Sequence, residues 1–312
     1  MSKAQRETVH QLVRDTPLDF TADLTVTRSL FGKLQTATPL SDDVRLKEST
    51  LGDTPVVEID IAGIETDDVV LYFHGGGYVA GSAFGGAGLA SDIARRAHAR
   101  AIAVEYRLAP EHPHPAATDD ALNAYSALLD SGVPPERIAF AGESAGGGLI
   151  LATLLAAKQA GLPQPRAAVV ISPWVDLTNT RASRATKAAA DPALTPQDLK
   201  ACAAYYTGTA DPSNPLISPL FGDLEKLPPL LIQVGGDEIL LDDSTDFAAR
   251  AAAANVSVHL DVTPEVPHVF QGMATILDEA VQALDRAGAF LRSQWITPTP
   301  TPNPMPLTYA LV

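Results

Sequence analysis

Cysteine is almost absent: Cys202 is the single one in 312 residues. It can form neither an intramolecular disulfide nor a cysteine-based metal cluster, so a disulfide-stapled fold and zinc-ribbon or finger architectures are excluded. Basic charge is also scarce. Lys and Arg number 22 against 37 Asp and Glu, a formal net charge of −15, which argues against nucleic acid as a partner. Long apolar runs are missing too. The longest, from Gly148 to Ala157, falls well short of the roughly 20 residues a membrane-spanning helix needs. The opening residues MSKAQRETVH hold no apolar stretch of the secretory type, so a soluble, cytoplasmic protein is the expectation.

What the chain does contain is core-forming material, with 46% hydrophobic and only 19% charged residues. Short Val/Ile/Leu-rich runs alternate with longer Ala-rich stretches, the pattern of a largely parallel sheet covered by helices. No repeat of fixed period is present. Strands are predicted at Val44 to Ser49, Val56 to Ile61, Val69 to His74, Ala101 to Tyr106, Ile138 to Ala141, Ala167 to Ile171, Leu230 to Gly235 and Val256 to Val262. The first two alternate and suit an antiparallel edge, whereas Ala167 to Ile171 is continuously apolar and suits a buried parallel strand. Helices are predicted at Gly86 to Ala99, Ala116 to Asp130, Ala145 to Ala160, Pro196 to Tyr206, Asp243 to Ala254 and Thr275 to Gln294, with Thr195-Pro196-Gln197-Asp198 as a capped start.

Two regions stand outside this alternation. Residues 1–36 carry helical spacing, with Leu24, Phe31 and Leu34 near one face, and residues 177–212 read as a polar loop followed by a helix. Both are expected to contribute to a helical cap over a catalytic domain spanning 37–296. The tail 297–312 begins with a Pro/Thr alternation holding five of the 25 prolines and is expected to be extended or disordered.

The strongest chemical signal is Gly142-Glu143-Ser144-Ala145-Gly146, after one predicted strand and before an apolar helix. A G-x-S-x-G sequence in that context is a nucleophile elbow: the turn holds the serine in a strained conformation, and side chains at the flanking glycines would strike the neighbouring strand and helix. His74-Gly75-Gly76-Gly77-Tyr78 follows another strand end. Successive glycines let backbone N–H groups approach a substrate oxyanion, and Gly76, Gly77 and Ala145 are the expected donors. The competing use, a phosphate cradle, lacks its accompanying G-K-[ST] or G-x-G-x-x-G sequence.

A base in this arrangement follows the nucleophile in the chain, leaving His259, inside a predicted strand, and His268, in the loop beyond it; the loop residue is the better candidate. His74 is expected to orient the glycine loop, while His10, His98, His112 and His114 read as surface or loop residues. For the acid that orients the base, the segment Gly235 to Asp243 offers Asp237, Glu238 and Asp242. Asp242 and Asp243 are also placed to cap the following helix.

The chain resembles the bacterial family IV esterases, the relatives of hormone-sensitive lipase within the α/β-hydrolases. The resemblance runs from about Leu71 to Gly272 and rests on His74-Gly75-Gly76-Gly77, Tyr106-Arg107-Leu108-Ala109-Pro110-Glu111-His112-Pro113, Asp119-Asp120-Ala121, Gly142 to Gly147, Ser172-Pro173-Trp174 and Ser218-Pro219-Leu220-Phe221. It implies an α/β-hydrolase fold with a cap, an ester-hydrolysing serine triad, no cofactor and no metal, and substrates with short-to-medium acyl chains. The family usually writes its acid segment as Asp-Pro-Leu-x-Asp. Aligned without a gap from Leu227-Pro228-Pro229 to Asp242, that pattern puts Glu238 at the triad position, with Asp237 as its rival and Ile239 in place of the usual proline. Glu143, where the family more often has Asp or Thr, is expected to hold the elbow by hydrogen-bonding backbone. Trp174 either lines the acyl side or simply packs. A lactonase or amidase would use the same triad, and a non-catalytic binding protein could share the scaffold. A homodimer through the sheet edge or last helix is compatible with the pattern.

Overall fold

Continuously apolar strands must be covered on both faces. In the structure, a computed structural model that describes residues 3–295, they occupy the middle of one eight-stranded sheet. The strands are Val44–Leu51 (β1), Thr54–Ile61 (β2), Val69–Phe73 (β3), Arg100–Val104 (β4), Ile138–Glu143 (β5), Ala167–Ile171 (β6), Leu230–Gly235 (β7) and Val258–Thr263 (β8). Their spatial order is β1-β2-β4-β3-β5-β6-β7-β8. β1 and β2 are antiparallel, as their alternation predicts, and β2 also runs antiparallel to β4; all later pairs are parallel.

The helices are Lys3–Asp15 (α1), Leu24–Gln35 (α2), Ala83–Ala97 (α3), Ala116–Asp130 (α4), Ala145–Gln159 (α5), the short Ser183–Thr186 (α6), Pro196–Thr207 (α7), Leu241–Ala253 (α8) and Asp278–Trp295 (α9). Period-2 side-chain alternation sends Leu71, Phe73 and Phe140 to one face, where they meet Ala121 of α4, Leu149 of α5 and Phe247 of α8. Val70, Tyr72 and Val169 point to the other face, against Ile93 of α3 and Leu284 and Leu291 of α9. Phe140 stands edge-on between Phe73 and Tyr125, with ring centroids 5.6 and 4.9 Å away. α5 carries no polar face because it is enclosed almost completely, from Ala145 to Ala157.

Local chemistry explains where the element ends differ from expectation. α3 starts earlier because Ser82 accepts a hydrogen bond from Gly85 N–H, and it stops where His98 turns left-handed at φ 55°. The N-terminal region is two helices, and Asp23 caps the second by accepting from Thr25 N–H. α7 opens with the expected capping box between Thr195 and Asp198. Asp242 and Asp243 do not cap α8. They lie inside its first turn, where Asp243 accepts from the N–H groups of Val175 and Asp176 and pairs with Arg184, and Asp242 accepts from Ser183 N–H. Burial raises the Asp243 carboxyl to about 6 even with Arg184 beside it. Among the described residues, no helix is long and apolar enough to cross a membrane. The Pro/Thr-rich stretch and the rest of 297–312 lie outside the described residues.

Candidate active site

The carboxyl ends of β3, β5, β6 and β7 converge, the usual location for a ligand site on a parallel sheet. Ser144 forms the turn between β5 and α5 at φ 56° and ψ −121°, a strained conformation for a residue with a side chain. It is held there by its N–H donating to Ile171 O at 2.8 Å and by its carbonyl accepting from Trp174 N–H at 3.0 Å. A Cβ at Gly142 would lie 2.3 Å from Phe73 O, and one at Gly146 would lie 2.0 Å from it. The flanking glycines are therefore required by the close approach of β3.

His268 reaches this serine from the loop after β8. Its Nε2 lies 2.9 Å from Ser144 Oγ, and its Nδ1 lies 3.2 Å from Oε1 of the fully buried Glu238. Glu238 Oε2 accepts two further hydrogen bonds, from Ser172 Oγ at 2.8 Å and Gly235 N–H at 2.9 Å. Burial alone would lower the His268 basicity, but Glu238, with smaller contributions from Asp191 and Glu143, raises it above the ordinary 6.5. Asp237 faces elsewhere: its Oδ2 lies 3.7 Å from Nε2 of His10 on α1. His259 sits on edge strand β8 against Phe290.

The glycine loop lies beside the serine. Gly76 and Gly77 have φ of 117° and 63°, and among the described residues their N–H groups donate to no protein acceptor. Ala145 is the first residue of α5, so its N–H belongs to the helix's unsatisfied first turn. His74 holds the loop as expected, through Nδ1 donating to Gly75 O at 2.8 Å while its ring stacks on Tyr106. Burial lowers this imidazole to about 4, so it is neutral at pH 7.

Glu143 does hold backbone. Its Oε1 accepts from Gly75 N–H at 2.7 Å and its Oε2 from the Tyr72 hydroxyl, tying the elbow to the glycine loop. Burial pushes its carboxyl up to about 7 in spite of these donors. Trp174 is buried, with its indole N–H on Asp176 O and its ring 6.2 Å from Tyr78, the packing alternative of the two weighed for it. His114 lies in the loop before α4, within the expected reading, with its ring edge-on against Tyr206 and half-buried, whereas His10 departs from that reading because it sits inside α1 and is partly buried.

Side chains from the two regions outside the alternation lie against the glycine loop. An added Cβ at Gly76 would be 3.1 Å from the Phe31 ring of α2, and one at Gly77 would be 2.8 Å from Cys202 Sγ of α7. Arg28 pins α2 by donating to Val79 O, Ala109 O and both oxygens of Glu111, whose carboxyl it lowers to about 2. The supporting roles of Ser172, Tyr72 and Asp191 were not visible in the sequence. Ser172 leaves one trace, as a serine directly after a buried strand and before proline. Among the described residues, no group of three or more His, Cys, Asp or Glu side chains is placed to hold a metal ion.

Comparison with known proteins agrees with this fold. A family model described as the alpha/beta hydrolase fold matches residues 70–272. An acetyl-hydrolase of Streptomyces hygroscopicus is 45% identical over 224 residues, covering 72% of this chain and 75% of the relative. An esterase of Acinetobacter venetianus is 37% identical over 245 residues, covering 75% and 81%. The crystal structure of an esterase from the bacterial hormone-sensitive lipase family superposes with a TM-score of 0.91 at 41% identity, covering 95% of this chain and 99% of that one. With that sheet order, that elbow and these relatives, the chain belongs to the hormone-sensitive-lipase-like family IV carboxylesterases of the α/β-hydrolase superfamily and is a carboxylic ester hydrolase.

Proposed function

We propose that the protein hydrolyses short-to-medium acyl esters through an acyl-enzyme on Ser144. The observation that carries this reading is the unbroken chain of polar contacts from Ser144 Oγ to His268 Nε2 at 2.9 Å and from His268 Nδ1 to Glu238 Oε1 at 3.2 Å. Ser144 attacks the ester carbonyl while His268 takes its proton, and Glu238 stabilises the imidazolium that forms. The N–H groups of Gly76, Gly77 and Ala145 bind the oxyanion of the tetrahedral intermediate. His268 then protonates the departing alkoxide, and in the second half it activates the water that releases the acid. Tyr72 and His74 stay neutral and serve only to hold the loops.

The preference for acyl groups of limited length is read from the aromatic side chains beside the first turn of α5, the helix that starts directly after Ser144. Tyr78 and Tyr206 stack with centroids 3.8 Å apart, and an added Cβ at Gly148, on the first turn of α5, would meet the Tyr78 hydroxyl at 3.0 Å. The name of the Streptomyces relative, acetyl-hydrolase, points the same way. α2 and residues 177–212 form the cap, and through Phe31 and Cys202 they set the roof over the oxyanion loop.

The test is hydrolysis of p-nitrophenyl acetate, butyrate and decanoate by the intact protein and by Ser144→Ala, with a lactone and an anilide alongside. Rapid acetate and butyrate turnover that disappears in the variant is the expected result. Undiminished activity in Ser144→Ala would overturn the nucleophile, and faster lactone or anilide cleavage would replace the ester substrate class.

A further inference from the structure

The residue that follows Glu238 is gripped through both its N–H and its carbonyl. Ile239 N–H donates to Asp191 Oδ2 at 2.8 Å, and Ile239 O accepts from Ser183 Oγ at 2.7 Å and from Arg184 Nη1. All three partners come from one segment, residues 183–191, between the end of β6 and α7. Asp191 is itself fixed by the N–H groups of Ala193 and Leu194, which donate to its Oδ1 at 2.8 and 3.0 Å. A carboxylate accepting three N–H bonds makes a rigid bracket, because charge-assisted hydrogen bonds are stronger and shorter than neutral ones. Proline at position 239 would leave no N–H to donate; with isoleucine there, the chain donates that N–H to the Asp191 carboxylate.

We infer that Asp191 is a positioning residue for the acid of the site, contributed by the segment over it: it fixes the Ile239 peptide and thereby the reach of Glu238 to His268. This rests on the assignment of Ser144, His268 and Glu238 proposed above. Asp191 has a second consequence through its charge. Three carboxylates bear on the His268 ring: Glu238 from the loop after β7, Asp191 from the segment before α7, and Glu143 from the end of β5. The charges of Glu238 and Asp191 favour the imidazolium that forms when the serine is deprotonated, and Glu143 adds to them only once it has lost the proton that burial holds up to about 7. Of the three, Asp191 alone comes from the 177–212 segment, so a displacement of this segment would alter both the orientation and the charge environment of the base.

The experiment uses the full chain and p-nitrophenyl butyrate, with kcat, KM and the pH profile of kcat/KM measured for the parent, Asp191→Asn, Asp191→Glu, Glu238→Gln and the Asp191→Asn/Glu238→Gln double variant. Asp191→Asn leaves one acceptor oxygen for the two that are used, so an amide NH2 is set against either the Ile239 N–H or those of Ala193 and Leu194. It is expected to lower kcat about 10- to 30-fold with KM within about twofold, because a small misplacement of the triad costs turnover rather than binding. It is also expected to move the acid limb of kcat/KM to lower pH by about half a unit, since a charge that favours the protonated ring is gone. Asp191→Glu keeps the charge but not the reach, so kcat falls while the acid limb stays in place. In the Glu238→Gln background the same Asp191→Asn change is expected to cost less than about threefold, since residues acting as a unit are not additive. Undiminished turnover in Glu238→Gln would overturn the triad assignment and this inference with it. Collapse of Glu238→Gln with both Asp191 variants at parental kcat and acid limb would overturn this inference alone, as would an Asp191→Asn loss of equal size in both backgrounds.

Discussion

The carboxylate of Asp237 pairs with His10 of α1 at 3.7 Å, while that of Glu238, the next residue, lies 3.2 Å from His268. Two adjacent acids on one turn thus lie against different histidines. Glu238→Gln is expected to lower kcat about 1,000- to 10,000-fold, because the amide no longer holds the imidazole in the working tautomer or balances its charge. Asp237→Asn is expected to stay within about threefold of the parent, consistent with a partly exposed pair. Steady-state ester hydrolysis by the two variants separates them, and the reverse ranking would transfer the acid role to Asp237.

Ser172 supports that acid by donating to Glu238 Oε2 at 2.8 Å. Ser172→Ala removes a buried donor to a carboxylate, an interaction worth about 1.5–3 kcal/mol. Turnover is expected to fall about tenfold with little change in KM. Parental kcat in this variant would mean that Gly235 N–H alone holds the carboxylate in place.

The base works only when neutral, so activity should be lost as pH falls through the His268 titration. Burial opposes protonation of this ring, but the neighbouring carboxylates outweigh it, so the acid limb of kcat/KM is expected above 6.5. Substrates of unchanging charge make the comparison clean. A midpoint below 6.5 would show that burial outweighs the carboxylates.

Glu143 links pH to stability. In the folded chain burial holds its proton up to about 7, whereas the ordinary carboxyl loses it near 4.5. Between these values the folded state binds more protons than the unfolded one, so the contribution of Glu143 is full below about 4.5 and is lost as pH rises through about 7. Glu143→Gln can still accept from Gly75 and does not ionise. Its Tm relative to the parent is therefore expected to climb between pH 5 and pH 8 and then level off; a difference that stays flat over this range refutes the assignment.

Two glycines in helices should respond oppositely to alanine. At Gly146 the new Cβ would meet Phe73 O at 2.0 Å and His74 O at 2.5 Å, both backbone, and the expected loss is about 3 kcal/mol or more. At Gly32, inside α2, nothing lies within 4 Å, so Gly32→Ala is expected to add up to about 1 kcal/mol. Thermal or denaturant unfolding of both variants checks the pair.

Much of this protein is written locally. The elbow Gly142 to Gly146 and the loop His74 to Tyr78 are contiguous, and their glycines meet steric demands that the flanking strands and helices already impose. The strands β3, β5, β6 and β7 are short apolar runs bounded by turns, so their existence could be read even where their ends moved by a few residues. His268 could be chosen over His259 because one stands in a loop and the other in a strand. Capping of α8 by Asp242 and Asp243 was misread because local patterning shows only a helix start. The partners that claim those acids, Val175, Asp176, Ser183 and Arg184, lie some 60 residues earlier in the chain.

The sequence by itself therefore determined the fold class and marked the candidate nucleophile, base and oxyanion loop, since each depends on residues close together in the chain. Only the tertiary structure decided which acid turns inward and what surrounds it, because Ser172 and Asp191 reach the 238–239 segment across 66 and 48 residues of intervening chain. Direction of a side chain from a turn, and the company it keeps there, is set by the elements packed against it.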